Sequence, residues 1–206
     1  GDHPLRVVVV GAGAAGTELA FTLGHRLAAQ DVPAEITLLS ASPEVLPGAP
    51  ERISRRVRRL AEDRGVRVRT DAAVESVEKE AVWVSSPTGR EAVPCDLALW
   101  ATGAAPPALV ADSPLPREER GFVRVRETLQ VVGHDDLFAV GDCAVADAHP
   151  WVPRAGVHAV RQGPSLDHNL RALLDGRRLR RHRPQRDFLM LLNLGGRRAF
   201  GAKWGL

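Results

Sequence analysis

LRVVVVGAGAAG, residues 5–16, decides how the rest of this chain is read. Its first half, Leu5 to Val10, is a valine-rich run of the kind expected for a strand buried on both faces of a parallel sheet. Its second half is a GxGxxG pattern made by Gly11, Gly13 and Gly16. A helical pattern follows in which Leu19, Leu23 and Leu27 recur four apart and are expected to face the core. A glycine pattern alone is weak evidence, but between a strand and a helix of a β-α-β unit it has the setting its chemistry needs. There Gly11 permits the tight turn, Gly13 lets a pyrophosphate approach the backbone, and Gly16 lets helix and strand pack closely. The first helical amides, at Ala14, Ala15 and Gly16, then point at phosphate oxygens with the favourable end of the helix dipole behind them. The stretch predicts a dinucleotide site.

Outward from it, Glu35 to Ser40 reads as a second strand, and a loop with Pro43, Pro47 and Pro50 leads to a second helix. That helix carries Ile53, Val57 and Leu60 on its inner side and ends near Gly65, before a third strand at Val66 to Arg69. The order is that of a Rossmann-like βαβαβ dinucleotide-binding domain, an α/β fold. Short alternating runs at Val74 to Val77, Ala81 to Val84 and Glu91 to Val93, around a Ser86-Pro87-Thr88-Gly89 turn, predict a small antiparallel meander. Leu97 to Trp100 returns as a strand, and Pro106-Pro107 marks a boundary, so residues 1–105 form the first domain. Beyond it, Phe122 to Val125 and Leu137 to Val140 read as strands. Gly156 to Leu174 reads as a helix bent or interrupted near Pro164.

The second strand of such a unit should end in Asp or Glu to hold a ribose 2′-hydroxyl. Ser40 stands there instead. Glu44 could reach the ribose from the loop, and a serine could donate to a 2′-phosphate, although the nearest downstream arginine is Arg52. NADH and NADPH both stay open, with NADH favoured because no arginine adjoins Ser40.

Composition bounds the rest. The chain has 206 residues, 44% hydrophobic and 26% charged, with a formal net charge of +3. That apolar content excludes disorder as the main state. No stretch is apolar for long enough to span a membrane, and Gly1-Asp2-His3-Pro4 lacks a basic region followed by an apolar stretch, so no signal peptide is expected here. Cys95 and Cys143 make no metal spacing and no disulfide framework, so no metal site is expected and a reducing cytoplasm is the default. All but two of the 28 basic residues (Lys79 and Lys203) are arginine. They cluster from Arg52 to Arg69 and from Arg171 to Arg198 with few aromatics between them, which favours a solvated face over nucleic-acid binding.

Four motifs occur in order: GAGAAGTE (Gly11 to Glu18), WATG (Trp100 to Gly103), LFAVGD (Leu137 to Asp142) and GVHAVRQG (Gly156 to Gly163). Together they resemble the pyridine nucleotide-disulfide oxidoreductase superfamily, and within it type II NADH dehydrogenase-like flavoproteins. RPQRDFLMLLN, Arg183 to Asn193, resembles the flavoprotein module fused to or associated with selenide, water dikinase.

The resemblance implies FAD and NAD(P)H as cofactors, with hydride passing from nicotinamide to flavin and on to a quinone or another small-molecule acceptor. Gly11, Gly13 and Gly16 would hold the nicotinamide dinucleotide, and Glu18 would lie near the nicotinamide and flavin junction as the catalytic candidate. Thr102 and Gly103 would form the crossover between nucleotide domains. Asp142, reached through Gly141, would accept a ribityl hydroxyl, and the helix beginning at Ala155 and Gly156 would point its N-terminus at the flavin ring. The family's dithiol pair is absent. Its members also carry an earlier glycine fingerprint, so the chain is expected to be a fragment lacking the first half of the FAD-binding domain. On that reading residues 106–185 are the C-terminal segment of a discontinuous FAD-binding domain and 186–206 the start of a truncated C-terminal region. The fragment alone would bind NAD(H) but purify without flavin. The rival expectation is a non-catalytic dinucleotide-binding or interaction module. The expected location is the cytoplasm, or peripheral to the inner membrane, with selenide, water dikinase as a candidate partner.

Overall fold

The computed structural model describes residues 3–186 and 189–203, so Phe188 and the closing Trp204-Gly205-Leu206 lie outside the described residues. The chain divides into two units, Gly1–Gly103 with Leu189–Leu206, and Ala104–Phe188.

The first unit is built on β1 (Leu5–Val10), followed by α1 (Ala14–Ala28), β2 (Ala34–Leu39), α2 (Glu51–Glu62) and β3 (Val66–Arg69). After β4 (Ala73–Val77), β5 (Ala81–Ser86) and β6 (Gly89–Pro94), the chain returns as β7 (Leu97–Trp100). The parallel sheet has the order β3-β2-β1-β7, and β4-β5-β6 form a separate antiparallel sheet. β1 is interior, and Val7, Val8, Val9 and Val10 are all buried, each worth about 1.5 kcal/mol or more of burial. Val8 and Val10 join Leu39 and Ala72 in one cluster with Val82, Val84, Val93 and Cys95, so the meander covers that face of the sheet. Val7 pairs in register with Ile36 on the other face, where α1 packs.

The helix turns a different side inward from the expected one. Leu19 is exposed and Leu23 and Leu27 are half-buried. The buried residues are Gly16, Thr17, Ala20 and Phe21, and a Cβ on Gly24 would lie 3.2 Å from Ile36 Cδ1. Residues 17, 20, 21 and 24 keep the i, i+3, i+4, i+7 spacing of an inward face, but with small side chains that let the helix backbone approach the sheet. At the sheet's edge Asp96 accepts from the Arg6 backbone amide at 2.8 Å and from its guanidinium at 3.0 and 2.5 Å. The Arg6 guanidinium, with the backbone amide, holds the Asp96 carboxyl well below the usual carboxylate range.

In the second unit, a short helix α3 (Ala108–Ala111) precedes β8 (Val123–Val125), which pairs parallel with β9 (Ala144–Ala146). Val110, Val123, Val125 and Val131 form its core, with Leu115 and Ala139 against them. Leu137 to Val140 is not a strand. Phe138 makes only an isolated bridge with Gln130, and the neighbouring bonds run from Val131 N–H to Leu137 O and from Ala139 N–H to Leu129 O. Of its residues only Ala139 packs against the small core, Leu137 is exposed, and no continuous partner runs beside them. α4 (Gly156–Leu174) continues through Pro164 without interruption. Asn169, fully buried, fastens it: Nδ2 donates to the Thr128 and Arg180 carbonyls at 2.8 Å each, and Oδ1 accepts from Arg180 N–H at 2.7 Å.

Residues 189–203 rejoin the first unit as a hairpin, β10 (Leu189–Asn193) and β11 (Ala199–Lys203). Met190 and Leu192 are buried and β10 packs on α1, so the inward side of this apolar run is covered within the chain. Leu189 and Leu191 point to the exposed side, as strand alternation requires.

Asn169→Ala removes three buried hydrogen bonds at once and leaves two carbonyls and an amide without partners. It is expected to destabilise the second unit by about 2–4 kcal/mol, read by chemical denaturation. A loss below about 0.5 kcal/mol would show that this fastening does not hold the unit.

Candidate functional site

The glycine turn is a steric construction. Gly11 stands at φ 106°, its N–H donates to Leu39 O at 2.9 Å, and a Cβ there would lie 2.5 Å from the Ala101 carbonyl oxygen. A Cβ on Gly16 would lie 1.8 Å from the Gly11 carbonyl oxygen and 3.3 Å from Ala101 Cβ. The end of β1, the start of α1 and the residue after β7 therefore share a space with no room for a side chain. Gly13 differs: a Cβ there meets nothing within 4 Å, so its missing side chain leaves the backbone open to the outside. It caps α1 without any side-chain bond, and no acid lies in the first turn. Ala14 and Ala15 are exposed beside it. An exposed, uncapped helix start with no competing carboxylate is fitted to an anion such as a pyrophosphate.

Thr17, buried, closes the turn from inside, its hydroxyl donating to Ala12 O at 3.3 Å. Leu46, in the left-handed region at φ 55°, donates its N–H to the same carbonyl at 2.8 Å, so the loop after β2 is tied to the glycine turn. In that loop Ser40 is buried. Its hydroxyl donates to Glu44 O at 2.9 Å and accepts from Ser42 N–H at 3.2 Å, so it shapes the loop. Glu44 is half-buried, and its carboxylate makes no hydrogen bond or ion pair with the described residues. Arg52 is exposed at the start of α2. Glu18 lies beyond the first turn of α1, half-buried, with its carbonyl accepting from Thr22 at 2.8 Å. Thr102 and Gly103 are exposed past the end of β7.

The second unit gathers the other candidates. Gly141, at φ 70°, begins a 3₁₀ turn over Gly141–Cys143 and donates its N–H to Gln162 Oε1 at 2.6 Å, which fastens the turn to α4. Asp142 is exposed and makes no hydrogen bond or ion pair with the described residues. Ala155 caps α4 without a side-chain bond, and Gly156 follows it in the open. Gly141, Asp142 and Ala155 border one cavity of about 40 Å³, beside Glu127, Arg154 and His158. The cavity has room for a few waters. At its rim the exposed Asp142 carboxylate lies near a helix start without a side-chain cap.

Several contributors had little signal in the sequence. Gln162 lies within GVHAVRQG, yet its bond to Gly141 joins residues 21 apart. His149, His158 and His182 all border the cavity, and nothing in their spacing announces it. Burial, then the neighbouring Arg161, pushes the His158 imidazole below its ordinary pKa. Burial, then His149, His158 and Arg180, does the same to His182, whose Nδ1 lies 3.1 Å from Ser165 Oγ.

Compared with known proteins, residues 1–163 match the family model described as pyridine nucleotide-disulphide oxidoreductase. Demethylphylloquinone reductase NdbB of Synechocystis sp. is 30% identical over 191 residues, covering 91% of this chain and 46% of the relative. The type II NADH:quinone oxidoreductase of Staphylococcus aureus is 25% identical over 185 residues, 85% of this chain and 46% of the relative. The chain thus spans about half the length of these curated relatives. Among solved structures, the sulfide:quinone oxidoreductase of Aquifex aeolicus superimposes with a TM-score of 0.77 at 15% identity, covering 98% of this chain and 54% of that one. The NDH2 of Plasmodium falciparum in complex with NADH gives 0.61 at 23% identity, covering 69% and 32%. At these identities the structural likeness shows the fold.

Two outcomes follow from the geometry. Gly16→Ala places a methyl on the Gly11 carbonyl and should yield little folded protein. Gly13→Ala should fold with an unchanged circular dichroism spectrum and bind dinucleotide at least about tenfold more weakly, because the methyl stands where the phosphates approach. A Gly13→Ala protein of unchanged affinity would contradict that placement. Separately, His158 and His182 fold in the neutral form with pKa values below the unfolded value of about 6.5. Below that pH the unfolded chain binds more protons, so their contribution is complete well above pH ~6.5 and falls as the pH drops toward the folded values. Melting temperature should therefore decrease between about pH 7.5 and 5.5, and His182→Gln should flatten the slope. An unchanged slope in that variant counts against a lowered pKa at the half-buried His182.

Proposed function

The chain belongs to the pyridine nucleotide-disulphide oxidoreductase family, and we propose on that footing that it is the nicotinamide-binding portion, with part of the flavin-binding portion, of an NAD(P)H:acceptor oxidoreductase. The observation that carries this reading is the contrast within one turn: Gly11 and Gly16 have no room for a side chain, while Gly13 faces open space at an uncapped helix start. The first pair builds the turn, and the last glycine admits a ligand to it.

In this reading the amides of Ala14, Ala15 and Gly16 hold the pyrophosphate, and the loop tied down by Leu46 carries the adenosine ribose. The Ser40 hydroxyl is committed to Glu44 O and Ser42 N–H, so Glu44 is the acid on this loop that remains to accept a 2′-hydroxyl. That favours NADH over NADPH. Asp142, with the start of α4 at Ala155 and Gly156, would hold the ribityl chain of FAD, which when bound supplies the two-electron acceptor for a nicotinamide hydride. Glu18 and the Thr102-Gly103 segment are proposed to border the nicotinamide. The names of the relatives support a quinone as the final acceptor. Among the described residues no helix is long and apolar enough to cross a membrane, and attachment at a membrane face is part of the proposal. The resemblance of Arg183 to Asn193 supports selenide, water dikinase as a partner.

Calorimetric titration tests the nucleotide assignment. NADH should bind one-to-one and at least about tenfold more tightly than NADPH, and Glu44→Gln should narrow the gap by weakening NADH. Equal affinities that Glu44→Gln leaves equal would remove Glu44 from the site, and no binding of either at millimolar concentration would remove the site itself.

A further inference from the structure

The far half of α1 borders a cleft that the nucleotide reading does not use. It has a volume of about 350 Å³, within the range of small-molecule sites, and lies wholly within the first unit. Its floor is apolar: Phe21, Val66 and Leu194 are all buried. Its charged lining is cationic, with Arg64 and Arg198 beside His25 and no Asp or Glu among the lining residues. At 1.5 Å per residue, Phe21 to Ala28 lie roughly 12–22 Å along the helix from Gly13, so the cleft is distinct from the glycine turn.

Among the described residues neither guanidinium is neutralised by a carboxylate, a state they share with Arg26, Arg52, Arg56, Arg59, Arg67 and Arg197 of this unit. Arg55, Arg58, Arg69 and Arg90 are each paired with a carboxylate, from Glu51, Glu62, Glu91 and Glu75. Arg64 lies over the Phe21 ring with its guanidinium 5.5 Å from the centroid, and donates a long bond to Leu60 O at 3.4 Å. An unneutralised guanidinium above an apolar floor attracts an anion more strongly than one in open water, since the floor lowers the local dielectric.

The opposite wall is fixed. Gly195 and Gly196 turn the hairpin at φ 75° and 58°, and the turn rests directly on His25. A Cβ on Gly195 would lie 2.5 Å from His25 Cβ, so the wall meets the helix with no gap for a side chain. The wall of the cleft is therefore set by contact of the hairpin turn with the His25 side chain.

We propose that this cleft binds an organic anion with a flat apolar body, of the aromatic carboxylate class. The carboxylate would lie between Arg64 and Arg198 and the ring against Phe21 and Leu194. Guanidinium favours a carboxylate because its parallel N–H groups match the two oxygens, and the floor selects against small hydrated anions.

Calorimetric titration of the full chain with 2-naphthoate, neutral 2-naphthalenemethanol and inorganic phosphate tests the proposal. One equivalent of 2-naphthoate should bind, with the alcohol and phosphate each at least tenfold weaker. Arg64→Gln and Arg198→Gln should each weaken 2-naphthoate by about fivefold or more, and the double variant by more than either. The thermal melt should stay at the parent value, since both side chains are exposed. Arg64→Lys should recover only part of the affinity. Equal binding of the alcohol would reduce the cleft to an apolar surface, and equal binding of phosphate would reduce it to a charged one. Unchanged affinity in the double variant, or no binding of 2-naphthoate at millimolar concentration, would overturn the proposal.

Discussion

The first unit depends on one crowded point. The Gly11 carbonyl, the Gly16 Cα and Ala101 occupy a space in which no further carbon fits. Because they fit, α1 begins directly at the end of β1, and β7 runs beside β1 as far as the Ala101 N–H to Val10 O bond of 2.8 Å. A helix started farther out would pull Thr17, Ala20 and Phe21 off the sheet. Gly13, outside the crowding, is then the glycine at which the turn opens to the exterior.

The same constraint accounts for the choice of side chains around it. A helix pinned this close at its start cannot carry leucines inward, and α1 accordingly buries glycine, threonine and alanine with one phenylalanine. Volume lost there is recovered on the other face of the sheet, where β1 and β2 side chains meet Val82, Val84 and Val93 of the meander. The second unit relies on a few long-range hydrogen bonds around a small valine cluster, with Asn169 and Gln162 each fastening α4 to a loop.

The part of this that sequence could reveal is the part fixed by local sterics and periodicity. The glycine spacing, the valine run and the alternating meander each describe their own neighbourhood, and each forms where its pattern says. The leucine spacing of α1 misled because periodicity does not state how near the sheet lies, and nearness decided for small residues. Leu137 to Val140 misled because an apolar run states neither burial nor a pairing partner: Leu137 is exposed and Phe138 makes only an isolated bridge. Ser40 stood at the position where a ribose-binding acid is looked for, but its hydroxyl is consumed by Glu44 O and Ser42 N–H, bonds a linear reading does not contain. The gathering of His149, His158 and His182, and of Arg64 with Arg198, joins distant segments and leaves no periodic trace.

The central claim is that the open end of α1 at Gly13 receives the dinucleotide. A backbone amide NMR titration of the isotope-labelled chain with NADH addresses it most directly. The largest shifts should fall on the amides of Gly13, Ala14, Ala15 and Gly16, saturating together at one equivalent. Saturable shifts centred elsewhere, with those four amides unmoved, would contradict it.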